Sequence, residues 1–208
     1  MARVELVKPD RIDDPVIQAI FGWVTQMESA VPNHFYLELN FPEFMKAKLG
    51  ATKVLWEAGE LSMEEIQHVG IAVSHANGCP YCTAAFCTIL NYGLGADEDY
   101  VRRFVTEGTD AVADERLGTI VRFAQKVNGD PSAVEDGDVE GLRKIGLTDK
   151  GIVQLVHLVS DFAAYNRLNL ALGTDYDYRD MWREVAFGMQ PGPGIPPGDN
   201  TRGVRPSS

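Results

Sequence analysis

Cys79 and Cys82 lie three residues apart in the stretch Gly78-Cys79-Pro80-Tyr81-Cys82. On one turn of helix this spacing brings both sulfurs to the same face, where they can cycle between dithiol and disulfide. Gly78 is typical of a helix end and Pro80 of a first helical turn, so a new helix is expected to begin at the pair. Free N–H groups and the helix dipole lower the pKa of a thiol placed there. The pattern therefore predicts a reactive thiolate with a second thiol in reach.

The third cysteine, Cys87, lies in an apolar stretch and is predicted to be a core residue. His75 comes one short turn before Cys79. We expect it to exchange a proton with the sulfur pair or to stabilise a thiolate as an imidazolium. The alternative is a structural histidine at a helix C-terminus, where a cation is favoured.

Two neighbouring side chains are candidates for supporting roles. His68 lies seven residues before His75 on nearly the same helix face. We expect it to be a structural histidine, on the surface or in the core, in preference to a partner of the sulfurs. Tyr81 is predicted either to donate a hydrogen bond to a peroxide or to line a substrate entrance. A zinc site of His75, Cys79 and Cys82 lacks the fourth ligand that such sites take from a second pair, so no metal is predicted.

Helical patterns dominate the chain, and no segment shows the alternation of a strand. The helix of the cysteine pair (79–92) follows one whose start has the capping-box spacing of Ser62 and Glu65. A loop is expected around Pro32 and Asn33. The other predicted helices cover residues 16–29, 42–58, 97–107, 114–127, 138–145, 148–172 and 176–187.

The second half of the chain echoes the first. The capped helix start at Ser62 recurs at Thr148, 86 residues later, and the counterparts of the two cysteines are Tyr165 and Leu168. A duplicated helical unit explains the echo, and chance similarity between two amphipathic helices is the alternative. We expect one all-α domain over residues 1–189, with a Cys-x-x-Cys unit at about 40–95, a degenerate repeat at about 110–175 and a Pro/Gly-rich tail at 190–208.

Composition excludes several classes of partner. A formal net charge of −11 argues against nucleic acid and against an anionic membrane surface, because both would repel the protein. No apolar run approaches the roughly 20 residues that cross a bilayer, and the first residues lack the apolar core of a signal peptide. Three cysteines do not indicate an extracellular disulfide framework, so a cytoplasmic protein is expected. No Gly-x-Gly-x-x-Gly motif occurs, and no cofactor is predicted.

The stretch Ser-His-Ala-Asn-Gly-Cys-Pro-Tyr-Cys at 74–82 and the segment around it resemble the alkylhydroperoxidase D-like (carboxymuconolactone decarboxylase) family. Residues 122–168 resemble its peroxidase-related members. The resemblance implies an all-α fold with a duplicated helical core, assembly as trimers or hexamers, and reduction of a small hydroperoxide or disulfide. It also implies that Cys82 attacks the peroxide, that Cys79 resolves the product, and that an external dithiol resets the pair. The natural reductant would be a thioredoxin-like or lipoyl protein.

The chain departs from the family pattern at two positions. The family has a glutamate twelve residues before the first cysteine and a histidine four after the second, where this chain has Gln67 and Phe86. An amide does not accept a proton as a carboxylate does, and a phenyl ring has no exchangeable proton. Either His75 with a bound water takes over the relay, or another reaction is catalysed.

Two alternatives to an alkyl hydroperoxide reductase stay open. One is a lyase similar to the carboxymuconolactone decarboxylases, acting on a small carboxylated ring compound. Arg167 is then expected to bind the carboxylate, and Phe86 to contribute to substrate binding; otherwise Arg167 is structural. The other alternative is a redox-responsive oligomer without enzymatic activity, coupled to the cysteine pair through the tail.

Overall fold

The structure, a computed structural model, describes residues 1–7 and 12–189. Every regular element in this part of the chain is helical, which confirms the all-α prediction. A π-helical turn extends the fifth helix, and the tail predicted at 190–208 lies outside the described residues. The α-helices are α1 (Pro15–Glu28), α2 (Asn33–Glu38), α3 (Pro42–Glu57), α4 (Met63–Ala76), α5 (Pro80–Thr88), α6 (Glu98–Glu107), α7 (Glu115–Gly129), α8 (Asp136–Lys144), α9 (Asp149–Leu172) and α10 (Asp180–Phe187).

Local side chains define the helix starts that the sequence predicted. Asp14 accepts hydrogen bonds from two free N–H groups in the first turn of α1. Ser62 and Glu65 form a complete capping box at α4, and Thr148 caps α9 through its side-chain oxygen. These bonds satisfy backbone groups that the helices themselves leave unpaired.

The main core forms around α4. This helix is buried continuously from Glu65 to Ser74, as expected for a helix enclosed on all sides. It packs against α5, α7 and α9. A second apolar cluster joins α1, α2 and α3 to Tyr165 of α9. The two clusters meet beside α5, the helix that contains Cys82.

Two sequence predictions were wrong, and both concern the same contact. Residues 33–38 form the short helix α2 where a loop was expected, because Asn33 bonds through its backbone N–H to Asp177 and through its side chain to the carbonyl of Asp175. The last helix begins at Asp180 and not at 176, so the carboxylate of Asp177 remains on a non-helical segment. Contacts between such distant residues leave no local pattern.

The two halves keep their offset in the structure. Helices α4 and α9 begin 86 residues apart, at Met63 and Asp149, and they pack against each other. Duplication of the unit stays a prediction, since packing alone does not establish ancestry. In the described part of the chain, no helix has both the length and the apolar character needed to cross a membrane.

Candidate active site

The cysteine motif lies at a break between two helices. Helix α4 ends at Ala76 and α5 begins at Pro80, so Cys79 directly precedes the new helix. Gly78 has a φ of 65°, a left-handed conformation that favours glycine. The Sγ atom of Cys79 accepts a hydrogen bond from the backbone N–H of Cys82 at 3.3 Å. The helix start predicted at the pair is therefore confirmed, with a sulfur in the role of capping atom.

The two thiols, both unbridged, differ in acidity. The thiol of Cys82 and the backbone N–H groups of Cys82 and Tyr81 lower the pKa of Cys79. Burial and the neighbouring Cys79 raise the pKa of Cys82 well above its ordinary value. A thiolate is therefore favoured at Cys79 over Cys82. The neighbouring Cys82 thiol contributes most to this preference, and the free N–H groups of the first turn, which are directed at the residue before the helix, add to it.

Cys82 opens onto an apolar cavity between the two core clusters. The empty space, including its open mouth, is about 670 Å³. Cys79 is not among the residues of its wall. The wall consists of Trp23, Val24, Met27, Glu28, His34, Phe35, Leu49, Thr52, Trp56, Tyr81, Cys82, Ala85, Phe86, Ile89, Phe162, Tyr165, Asn169 and Tyr178.

Tyr81 is a wall residue whose hydroxyl is already engaged. Its oxygen accepts a hydrogen bond from the backbone N–H of His34 at 2.9 Å and donates to Asp177 at 2.9 Å. Burial and the Asp177 carboxylate raise the pKa of Tyr81 well above its ordinary value. Tyr81 was expected either to donate to a peroxide or to lie exposed at a substrate entrance, but its hydroxyl is engaged and its side chain is buried in the wall of the cavity.

The side-chain amide of Asn169 links Cys82 to His34, a histidine for which the sequence predicted no role at the sulfur pair. Asn169 donates from Nδ2 to Cys82 Sγ at 3.4 Å, and its Oδ1 lies 3.3 Å from Nδ1 of His34. Burial lowers the pKa of His34 to about 4, so its ring is neutral at pH 7. The histidine connected to the sulfur pair is therefore His34 of α2. It lies 135 residues before Asn169 in the chain, and no motif spacing could have revealed the contact.

A titratable carboxyl group lies behind His34. Glu38 Oε2 is 3.7 Å from His34 Nε2 and has no hydrogen-bond partner in the described chain. Burial raises the pKa of Glu38 to about 7, although the Lys48 cation opposes this shift. Lys48 pairs with Asp161 and lies over the ring of Tyr165 at 3.7 Å. One side of the cavity is thus backed by buried charged groups from α2, α3 and α9.

His75 does not reach the sulfur pair. It is exposed on α4, where Nε2 lies 3.0 Å from the carbonyl oxygen of Ala186 and the ring packs against Phe187. After Gly78 the chain turns inward, so Cys79 is buried while His75 remains outside. The predicted relay through His75 is therefore not supported, and its structural alternative fits. The zinc alternative fails for the same reason, and no three metal-ligating side chains are grouped anywhere in the described residues.

The two positions that depart from the family pattern form no proton path. Gln67 is fully buried, and neither polar atom of its amide has a hydrogen-bond partner in the described chain. The ring of Phe86 lies against Gly70, where a Cβ atom would come within 2.5 Å of it. Its other side packs on Phe162, with ring centroids 4.6 Å apart. Phe86 therefore closes the wall of the cavity with an apolar surface.

The remaining candidates lie away from the cavity. His68 is fully buried, with Nε2 2.8 Å from the hydroxyl of Tyr100, which gives it a structural role. Arg167 is exposed and donates to the carbonyl of Ala163 at 2.9 Å, so it is not placed to bind a substrate in the cavity. Cys87 is fully buried and burial raises its pKa, which confirms it as a core residue.

Comparison with known proteins gives a family match for part of the chain. Residues 42–126 match the model of the carboxymuconolactone decarboxylase family. The matched segment includes the break between α4 and α5 and the cysteine motif. The resemblance indicated by residues 74–82 is therefore confirmed. No curated protein matches the chain.

Several solved structures share the fold. A peroxidase-related protein from Ralstonia eutropha JMP134 with an alkylhydroperoxidase AhpD core is 23% identical, with a TM-score of 0.76 over 89% of this chain and 96% of that one. A peroxidase-related protein from Silicibacter sp. TM1040 is 24% identical, with a TM-score of 0.71 over 83% and 90%. The debrominase Bmp8 in complex with 2,3,4-tribromopyrrole is 18% identical, with a TM-score of 0.71 over 90% and 98%. At these identities the likeness establishes the AhpD-like all-helical fold.

Proposed function

Because residues 42–126 match the carboxymuconolactone decarboxylase family and the described chain has the AhpD-like fold, we propose that this protein is a thiol-dependent oxidoreductase. In this proposal the Cys79–Cys82 dithiol reduces a small apolar hydroperoxide bound in the aromatic cavity. One observation carries it. Two unbridged, hydrogen-bonded thiols lie at a helix start, and of the two only Cys82 lines the cavity.

The first step oxidises Cys82. The proposed reaction starts from the form with a Cys79 thiolate and a Cys82 thiol, the form that the opposite pKa shifts favour, and transfer of the Cys82 proton to Cys79 makes Cys82 the nucleophile. The Cys82 thiolate attacks the terminal oxygen of R–O–O–H, so that an S–O bond forms and the O–O bond breaks. The alkoxide takes the proton from Cys79 and leaves as R–OH. Cys82 is then a sulfenic acid, and Cys79 is a thiolate again.

The second step closes the disulfide. The Cys79 thiolate attacks Sγ of the sulfenic acid, an S–S bond forms, and hydroxide leaves and takes a proton from solvent to become water. Two thiols have lost two electrons, and one peroxide has gained them. An external dithiol, thioredoxin-like or lipoyl, reduces the disulfide by exchange. The expected trimer or hexamer and the cytoplasmic location belong to the same proposal.

The wall of the cavity supports an organic substrate over hydrogen peroxide. Trp23, Trp56 and Phe162 give it an aromatic surface. Burying an alkyl or aryl group there contributes about 25 cal/mol per Å² of apolar area, a gain that hydrogen peroxide cannot make. Since Gln67 and Phe86 supply no relay, the proton of the pair itself serves the leaving oxygen.

The lyase alternative finds no support in the cavity. Among the described residues that form its wall there is no arginine or lysine, and His34 is neutral. A carboxylated substrate would lose its hydration without meeting a cation.

A second candidate function is reductive dehalogenation of a small aromatic ring. The aromatic wall fits such a ring, and the debrominase Bmp8 has the same fold and was solved with a brominated pyrrole. The balance is Ar–Br plus two thiols giving Ar–H, bromide, a proton and the Cys79–Cys82 disulfide. Release of bromide in step with disulfide formation distinguishes this reaction from peroxide reduction.

The test follows oxidation of the reduced protein. We expect cumene hydroperoxide to convert the thiols of Cys79 and Cys82 to a disulfide faster than hydrogen peroxide does, as measured by peptide mapping. Cys82→Ser removes the reaction, and Cys87→Ala retains it. A pair that stays reduced with every hydroperoxide and every bromoaromatic overturns the proposal.

A further inference from the structure

The sulfur that faces the cavity lacks the backbone stabilisation of its partner. The free N–H groups of α5 are directed at Cys79, whereas Cys82 Sγ receives the side-chain N–H of Asn169 at 3.4 Å. Asn166, one turn earlier on α9, shifts the pKa of Cys82 in the same direction, but its Nδ2 also donates to Ser74 at 2.9 Å. Asn166 and Asn169 thus both lower the pKa of Cys82, and Asn169 is the one whose N–H is within hydrogen-bond distance of Sγ, at 3.4 Å.

The amide of Asn169 has a single favourable orientation. Its Nδ2 also donates to the carbonyl oxygen of Tyr165 at 3.0 Å, and its Oδ1 accepts from the hydroxyl of Thr174 at 2.6 Å. A flipped amide would set its own oxygen against the carbonyl oxygen of Tyr165. The N–H group is thus held toward the sulfur by bonds that the opposite orientation would break.

His34 completes this orientation. Asn169 Oδ1 can only accept, so the proton of the neutral ring lies on Nδ1 and is donated to it. The ring itself is fixed, because the backbone N–H of His34 bonds to Tyr81 and the ring packs edge-on against Tyr165 at 5.0 Å. Nε2 is left facing the Glu38 carboxyl group at 3.7 Å.

We propose that Asn169 is a catalytic residue that stabilises the thiolate formed on Cys82 during turnover, and that His34 is a positioning residue that keeps the Asn169 amide turned to the sulfur. The inference rests on the proposed dithiol chemistry and deepens it. Where the family pattern has a proton relay, this chain has a fixed amide donor. The donor stabilises charge on the attacking sulfur and carries no proton itself.

The test measures alkylation of Cys82 by iodoacetamide in the reduced, full-length protein as a function of pH, with peptide mapping to separate the three cysteines. Asn169→Asp keeps the shape of the side chain, replaces the N–H donor with oxygen and adds a negative charge, so Asn169→Leu, which removes the donor without adding a charge, is measured beside it. We expect the rate of Cys82 alkylation at pH 7 to fall about 10- to 100-fold, since hydrogen bonds to charged groups are among the strong ones. The midpoint of the pH profile should move upward by about one to two pH units.

His34→Phe keeps an aromatic ring against Tyr165 and removes the Nδ1 donor. The rate of Cys82 alkylation at pH 7 should fall about three- to tenfold, and the midpoint of the pH profile should move upward by less than in Asn169→Asp. The effect is smaller because the hydroxyl of Thr174 still holds the Asn169 amide in part of its orientation. A merely structural role for His34 would lower the thermal midpoint and leave the pH profile in place. Asn91→Asp is the matched control, since the amide of Asn91 donates to the carbonyl oxygen of Ala96 at 2.9 Å outside the cavity and the variant should keep the wild-type profile.

An Asn169→Asp protein that keeps the wild-type midpoint and a rate within twofold overturns the inference. If that variant does not fold, the profile of His34→Phe decides by the same criterion. Disulfide formation with cumene hydroperoxide is followed in the same samples. A wild-type protein that forms no Cys79–Cys82 disulfide overturns the proposed function, whereas the alkylation profiles still decide the role of the amide.

Discussion

Two regions of the chain that lie 86 residues apart differ in their backbone. Between α4 and α5 the chain leaves the helix for residues 77–79, whereas α9 continues without interruption through positions 86 residues later. The break leaves N–H groups free to stabilise a sulfur at Cys79. The unbroken helix uses its N–H groups internally and presents side chains, among them Tyr165 and Asn169, to the cavity.

The difference teaches that a helix interruption frees backbone N–H groups that help to lower the pKa of a buried thiol. Gly78 and Pro80 encode the interruption, the first through its left-handed φ and the second through its missing N–H. Helix α9 has neither residue at the matching positions, Ala164 and Asn166. One region therefore supplies the reactive sulfur, and the other supplies the wall and the amide around it.

The largest expected effect comes from removing the sulfur at the break. Cys79→Ser keeps a good capping residue, so α5 should still begin at Pro80, but the variant can hold neither the thiolate nor the disulfide. We expect disulfide-linked turnover to fall by about 10³-fold or more, as for other essential nucleophile partners. The assay is steady-state consumption of cumene hydroperoxide with a dithiol reductant. Turnover above a tenth of the wild-type rate would show that the break does not supply the reactive charge.

A substitution at the matching position of the continuous helix α9 should lower turnover less than Cys79→Ser does. Tyr165→Phe, at the position equivalent to Cys79, removes a hydroxyl group 3.3 Å from Thr52 and changes no backbone N–H. An activity loss as large as that of Cys79→Ser would contradict the division between the two regions.

A second prediction concerns the packing that α9 provides. Phe162 is 1% exposed and contacts the rings of Phe86 and Trp56, with centroids 4.6 and 6.5 Å away. Phe162→Ala should lower the free energy of unfolding by about 3–5 kcal/mol through lost burial and a residual cavity. Urea denaturation measures the change. The matched control is Phe44→Ala, because Phe44 is 55% exposed and its loss should cost about 0.5 kcal/mol or less.

The two regions also differ in how far the sequence predicted them. The break was predictable because Gly78, Cys79 and Pro80 are adjacent and act locally. The helix starts at Ser62 and Thr148 were predictable for the same reason. The all-α fold followed from these local signals together with the family resemblance.

The surroundings of Cys82 could not be predicted. Its amide donor, Asn169, lies 87 residues away, and the histidine behind that amide comes from a helix taken for a loop. Nearness along the helix made His75 the expected partner, but the turn at Gly78 separates it from the sulfurs. The spacing predicted a thiolate within the pair but does not reveal that the free N–H groups meet Cys79.

A third prediction concerns the carboxyl group of Glu38, which lies behind His34. Burial raises the pKa of Glu38 from 4.5 to about 7, so the folded state keeps a proton that the unfolded state releases. The stabilising contribution is present at low pH and is lost as the pH rises through 7. His34 acts oppositely, since its pKa falls from 6.5 to about 4, and its contribution is lost as the pH falls through 4.

Comparison with Glu38→Gln isolates the carboxyl group. Between pH 5 and 8 the wild-type free energy of unfolding should decrease relative to that of the variant, by at most about 3 kcal/mol. Urea titrations at several pH values in this range measure the difference. Parallel pH curves for the two proteins would mean that Glu38 titrates normally in the folded state.

The smallest expected effect tests what the two regions share. Ser62 accepts the N–H of Glu65 at 3.2 Å, and Thr148 accepts that of Lys150 at 3.2 Å. Ser62→Ala and Thr148→Ala should each lower the free energy of unfolding by about 1 kcal/mol, because each leaves one N–H of a first turn unpaired. Similar losses in urea denaturation would locate the difference between the regions at the helix break and not at the helix starts. A loss of stability in only one of the two variants would mean that the helix starts also differ between the regions. The helix break would then not be the only difference between the region of the cysteines and the region that forms the cavity wall.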